Sequence, residues 1–297
     1  MRVKFFPGFS VFDGGDGPAW VAPHAGPGFK FSDSRDDKTD VIAGLCCNKI
    51  GGKAIVSNAS RIRDFGVDFN RAPPSQKDSF RMNSILKSGR IDQEAYYKYK
   101  RQYAWVAEDE DDHRQRLKLY RSFWREVGKS DTAVLIHTMY VTPKTCKSLI
   151  DIFSSGIDEN VLKSSVEKVN RKYAAFFGKI KKDFTDYMVH NEKRSIEFVR
   201  RAPKGKVEKE FTYDLNTHMK IVGAKSVDGI LPGIENYMKK VFPKVTIRQV
   251  FTGDKSHGLK NLSGDTKIIQ TEVSIFLSQW YPDMASDIIC EIVRGVI

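Results

Sequence analysis

Two histidines and a carboxylate stand at the edges of apolar runs in this chain of 297 residues. They are His24 in Pro23-His24-Ala25-Gly26, Asp40 in Thr39-Asp40, and His137 at the end of Ala133-Val134-Leu135-Ile136. Neutral imidazoles and a carboxylate suit a borderline divalent metal such as zinc. Three protein ligands leave a fourth position open for water, which a hydrolytic centre requires. Asp36 and Asp37 compete with Asp40 for the acidic place. Asn70-Arg71, closing Asp68-Phe69-Asn70-Arg71, adds a planar guanidinium fork fit for a substrate carboxylate. Each residue also has a plainer explanation. Asp40 after Thr39 is ordinary at a helix start, His137 suits a buried strand end, and Asn70-Arg71 before Ala72-Pro73-Pro74 can simply close a turn. His113, His190 and His218 lie among charged residues and are expected at the surface.

The elements that must position these residues follow from the apolar pattern. Trp20-Val21-Ala22 reads as a short strand that delivers His24 into a loop, and the run up to Ile136 is a buried strand that ends at His137. Thr39-Asp40 opens a helix through Val41 to Cys47, closed by Gly51-Gly52. Further strands are expected at Lys53 to Ser57, at Gly66 to Phe69, at Val245 to Val250 and at Ile268 to Ser274; the last carries Glu272 in mid-pattern. A carboxylate there needs a partner or a function, because an unpaired buried charge is costly. A helix is expected from Lys147 to Phe153. Residues 78–128 and 160–200 have helical spacing, the second as one long amphipathic helix or a broken pair. The acidic run Glu108 to Asp112 separates two helices and caps the second. Thr252 to Asp265 is a polar loop fit to cover a site, and a last helix runs around Met284 to Val296.

Strands alternating with helices predict an α/β fold: three layers, α/β/α, around a mixed, mostly parallel sheet. In such sheets chemistry gathers at the carboxyl ends of strands, which is where both histidines fall. Residues 1–297 are expected to form one domain with helical insertions at about 78–128 and 160–200. Four cysteines without a Cys-x-x-Cys spacing argue against a structural zinc site and a disulfide scaffold. No run approaches the roughly 20 apolar residues of a membrane span, so a soluble, cytoplasmic protein is expected. The formal net charge of +12 invites anionic partners. The basic residues are nevertheless spread from Lys49 to Arg294, so nucleic acid is not expected and a solvated surface with an anion-binding site accounts for the charge.

Pro23-His24-Ala25-Gly26, Thr39-Asp40, Ser60-Arg61, Asp68-Phe69-Asn70-Arg71 with Pro73, Ile136-His137 and Gln270-Thr271-Glu272, in this order, resemble the motifs of the N-formylglutamate amidohydrolase family. That family is similar in fold and metal site to zinc carboxypeptidases and aspartoacylases. The resemblance implies zinc held by His24, Asp40 and His137. It implies Glu272 as general base, Arg61 as oxyanion or carboxylate holder, and Asn70 and Arg71 as the clamp on a substrate carboxylate. The gap between Ser-Arg and Asp-Phe-Asn-Arg is longer than the family's, which makes Arg63 a second candidate for the functional arginine. The family's strand often ends in an acidic residue before the second histidine; here Ile136 stands there, so a contact orienting that histidine is missing from the pattern.

The function implied is a metal-dependent amidohydrolase that cleaves the acyl amide of an N-acylated amino acid by attack of zinc-bound water. Two rival readings are a zinc peptidase acting on small peptides or cell-wall fragments, and a non-catalytic protein that binds anions or nucleic acid on a decayed hydrolase scaffold.

Overall fold

The computed structural model describes residues 2–26, 36–59, 66–89, 93–250, 257–262 and 264–297. Eight strands form one sheet in the order β1-β2-β4-β3-β5-β8-β6-β7. Their ranges are β1 Arg2–Phe6, β2 Phe9–Asp13, β3 Ala19–Ala22, β4 Lys53–Ser57, β5 Thr132–Met139, β6 Ser148–Ser155, β7 Lys244–Ile247 and β8 Lys267–Ser274. The centre β4-β3-β5-β8 is parallel, as is β6-β7, whereas β1-β2, β2-β4 and β8-β6 are antiparallel. The fold is therefore the expected α/β type with a mixed, mostly parallel sheet between helical layers.

β5 explains the centre. Its residues are almost all buried, so both faces of the strand meet protein, as a near-continuous run of Ala, Val, Leu and Ile requires. Val134 and Ile136 face a core built with α1 (Thr39–Ile50), α5 (Glu159–Lys172), α6 (Ala174–Arg201) and α10 (Pro282–Arg294). Ala133 and Leu135 face the opposite core, where Tyr120, Phe123 and Trp124 of α4 (Glu110–Val127) pack. His137 continues this second face. Asp109 caps α4 by accepting the Asp112 backbone N–H, so the acidic run begins the helix as its composition predicts.

Three segments depart from the sequence expectation. Lys147 to Phe153 is not a helix: Ser148–Ser155 is strand β6, paired to β8 and β7. A short apolar run fits a buried strand and a buried helix turn equally well by periodicity, and pairing partners decide. Gly66 to Phe69 is not a strand but irregular chain. The second helical insertion extends past 200, because α7 (Lys206–Val222) and α8 (Ile230–Lys240) pack on α6. The first comprises α2 (Gln76–Lys87), α3 (Gln93–Gln102) and α4, and the 160–200 region is a pair of helices broken at Tyr173. The short α9 (Ile275–Trp280) leads from β8 to α10. Among the described residues no helix is long and apolar enough to cross a membrane.

Candidate metal centre

The sheet changes winding direction at β3. The chain leaves β3 for β4 on one side and later returns as β5 on the other, which opens a crevice at the carboxyl ends of β3 and β5. His24 leaves β3 two residues beyond Ala22, and His137 lies near the end of β5. Their ring centroids are 4.9 Å apart. The two imidazoles therefore converge from positions more than a hundred residues apart.

The acidic group between them is Asp36, not Asp40. Asp36 Oδ2 lies 3.2 Å from His24 Nδ1 and 2.9 Å from His137 Nδ1. His24, Asp36 and His137 are all buried, and one ligand atom from each lies within 4.8 Å of the others. Backbone contacts explain the choice. The Asp36 N–H donates to the His24 carbonyl at 2.9 Å, and the Thr39 hydroxyl donates to the Asp36 carbonyl at 2.9 Å. Those bonds hold Asp36 beside His24 before α1 begins. Asp40 sits in the first turn of α1 and is not one of the three converging groups. Asp37 turns outward and accepts from Gln279 Nε2 at 3.0 Å. Between Asp36 and α1, Lys38 adopts a left-handed backbone (φ 62°), a conformation that costs a non-glycine residue on the order of 1 kcal/mol.

Behind His24 stands a second carboxylate. Asp68, fully buried, accepts from His24 Nε2 at 2.8 Å and from the Asn70 backbone N–H at 3.0 Å. A carboxylate on the far nitrogen fixes the tautomer and orientation of a ligating histidine. Asp68 is held in turn. Its own N–H donates to the Ala104 carbonyl at 2.8 Å, Phe69 stacks on Phe123 at 4.0 Å, and Trp124 Nε1 donates to the Phe69 carbonyl at 3.0 Å. The loop after β3 is fixed from the other side: a Cβ on Gly26 would fall 1.9 Å from the Ala59 carbonyl oxygen, so only glycine permits this approach.

Glu272 completes the cluster. Parallel pairing sets it directly beside His137, on the same face of the sheet. It is buried, and Gln270 Nε2 donates to its Oε1 at 2.8 Å. Burial pushes its carboxyl up to about 7, against the pull of His137. Asp36 goes the other way. Burial would raise its carboxyl, but His24 and His137 outweigh that and hold it far below the usual range. Neighbouring carboxylates with such divided titration are the pattern of an acid–base site.

Asn70 and Arg71 follow Asp68 at the rim of the cluster, both half-buried, with Arg71 Nε 3.9 Å from Asp68 Oδ2. Arg61 and Arg63 lie outside the described residues, as does the 252–256 stretch of the polar loop. Of that loop, Asn261 is described; its Nδ2 donates to the Tyr120 hydroxyl at 3.0 Å, beneath the Asp68 segment. Burial raises the Tyr120 hydroxyl to about 12, so it stays protonated. The expectation that His113 and His218 lie at the surface is overturned: both are buried, and His113 accepts from Trp105 Nε1 at 3.4 Å.

The residues fit a divalent metal. Two nitrogens and a carboxylate oxygen form a donor set suited to zinc or a neighbouring transition metal. Asp36, Asp68 and Glu272 are all buried around the two imidazoles. Among the described residues, His137 Nε2 is buried without a hydrogen-bond partner. His24, Asp36 and His137 would hold the ion. Of the missed residues, Asp36 was a rival in a row of aspartates, and Asp68 headed a motif that was valued for its last two residues. Neither role leaves a spacing signal in sequence.

A scan of protein-family models and searches of curated proteins and of solved structures return no match to this chain.

Proposed function

We propose that this protein is a metal-dependent amidohydrolase that cleaves the acyl amide of an N-acylated amino acid, N-formylglutamate being the representative substrate. The observation that carries this reading is the convergence of His24, Asp36 and His137 beside a buried Glu272. A bound zinc or similar ion would supply Lewis acidity to the substrate carbonyl and acidify a water molecule. The chain's own residues do the rest. Glu272, raised to about 7, takes a proton from the attacking water and delivers it to the departing nitrogen, a task for which a carboxyl near neutrality is suited. Asp68 keeps the His24 ring aimed at the centre. Arg71 and Asn70 at the rim hold the substrate carboxylate.

A cytoplasmic setting is part of this proposal; the cysteines, all free and buried, suit a reducing compartment. The test is element-resolved metal content of the purified protein, followed by deacylation assays on N-formyl- and N-acetyl-glutamate and -aspartate. One equivalent of zinc or a related ion with turnover of at least one of these is expected. No bound metal, and no activity on adding it, would end the proposal.

A further inference from the structure

The surface where α6 ends and α7 begins combines a run of cations with two exposed, mutually packed aromatic rings. Between Lys193 and Lys209 the sequence holds seven cations and only two carboxylates, so five of the +12 net charge fall within one helix end, a loop and one helix start. The fold arranges some of these side chains. Arg194, Phe198 and Arg201 recur at helical spacing on α6, and all three are exposed. Phe211 of α7 meets Phe198 with ring centroids 4.7 Å apart. The two rings remain 43% and 38% exposed although the helices that carry them have a buried side available. Lys204 and Lys209 lie between the two rings in sequence and are also exposed. Arg200 is bound to Asp228.

We propose that this surface binds single-stranded nucleic acid, with Phe198 and Phe211 as the stacking platform and Arg194, Arg201, Lys204 and Lys209 as phosphate contacts. Cations that track a backbone, interleaved with rings on which unpaired bases stack, are the recurring elements of sequence-tolerant single-strand binding. A membrane surface is the poorer fit. The apolar side of α6, with Phe184, Met188 and Ile196, is buried in the core together with Ile230, Ile234 and Met238 of α8, so no broad apolar face remains to enter a bilayer. This revises the sequence expectation, in which the basic residues are dispersed along the chain. The inference is independent of the amidohydrolase reading, because the surface shares no residue with the metal centre.

The test is fluorescence anisotropy of a labelled 20-nucleotide oligouridylate with the full-length protein between 50 and 300 mM salt. Binding that weakens steeply with salt is expected, with a log–log slope of about −3 for four phosphate contacts. The double variant R194E/R201E should bind at least ten times more weakly, and F198S several times more weakly, while E272Q binds as the wild type does. These residues are exposed, so the variants should keep the wild-type circular dichroism spectrum. F198S should leave heparin binding unchanged, since heparin offers charge without bases. Absent oligonucleotide binding at 50 mM salt, or equal binding by R194E/R201E, overturns the proposal. So does an F198S variant that binds the oligonucleotide normally, or preferential capture by phosphatidylserine vesicles that the oligonucleotide does not reverse.

Discussion

Two buried histidine–carboxylate clusters in this protein use the same chemical groups to different ends. In the helical insertion, His218 of α7 meets Glu192 of α6, Nδ1 to Oε1 at 2.7 Å. At the sheet's carboxyl edge, His24 and His137 share Asp36, with Asp68 behind and Glu272 alongside. The insertion has one imidazole and one carboxylate, a hydrogen-bonded pair that ties two helices together. The sheet edge gathers two imidazoles and three carboxylates from five separate segments of the chain. A lone pair can be explained by packing alone; at the sheet edge two nitrogens and a carboxylate oxygen also lie within 4.8 Å of one another, where a metal ion could sit. Among the described residues, His218 Nε2 and His137 Nε2 are both buried without a hydrogen-bond partner, so an orphaned nitrogen by itself does not separate the two clusters. The surrounding carboxylates do.

The comparison breaks most sharply at the ligands. H24A, H137A and D36N should each abolish metal retention and deacylation, whereas D40N should keep its metal; inductively coupled plasma mass spectrometry on the four proteins reads this directly. If D40N loses metal while D36N retains it, the assignment of the acidic ligand is reversed.

Glu272 comes next. E272Q should keep the metal and lower kcat by about 10²–10⁴-fold, the range for a general base. The same variant has a pH signature in metal-stripped protein. Folded Glu272 holds its proton to about pH 7, while unfolded Glu272 releases it near 4.5. The unfolded state thus sheds the proton first. The Glu272 contribution to stability is greatest below pH 4.5, falls as pH rises to 7 by about 3 kcal/mol, and is level above. Urea titrations across this window should show the decline in wild type and its absence in E272Q.

D68N should act more mildly, weakening metal affinity by about 10–100-fold through the disoriented His24 ring; competition with a calibrated chelator measures it. H218A should have the least effect on the chemistry. Metal content and kcat should match wild type, while unfolding free energy falls by about 3 kcal/mol because Glu192 is left buried without its partner. A large loss of activity in H218A with unchanged stability would erase the distinction between the clusters.

Much of this arrangement was legible before any coordinates. The buried strand ending at His137, the short strand before His24, the helix opened by Thr39 and the strand carrying Glu272 all follow from apolar runs and their boundary residues, because burial patterns and turn chemistry are local properties. The α/β/α layering followed from their alternation. What sequence misread were segments whose local signal fits two structures: Ser148–Ser155 reads as helix turn or strand until β8 and β7 pair with it.

The amino-acid order alone therefore determined which residue types were available for chemistry and which end of the sheet would hold them. The tertiary structure decided the partners. Asp36 rather than Asp40 lies between the imidazoles because a backbone bond to the His24 carbonyl holds it there, a contact between residues twelve apart that no spacing rule encodes. Asp68 stands behind His24 because Phe69 is locked into the α4 core. Carboxylates close together along a chain look alike to any local rule; only the three-dimensional path sets which one comes within reach of a distant ring.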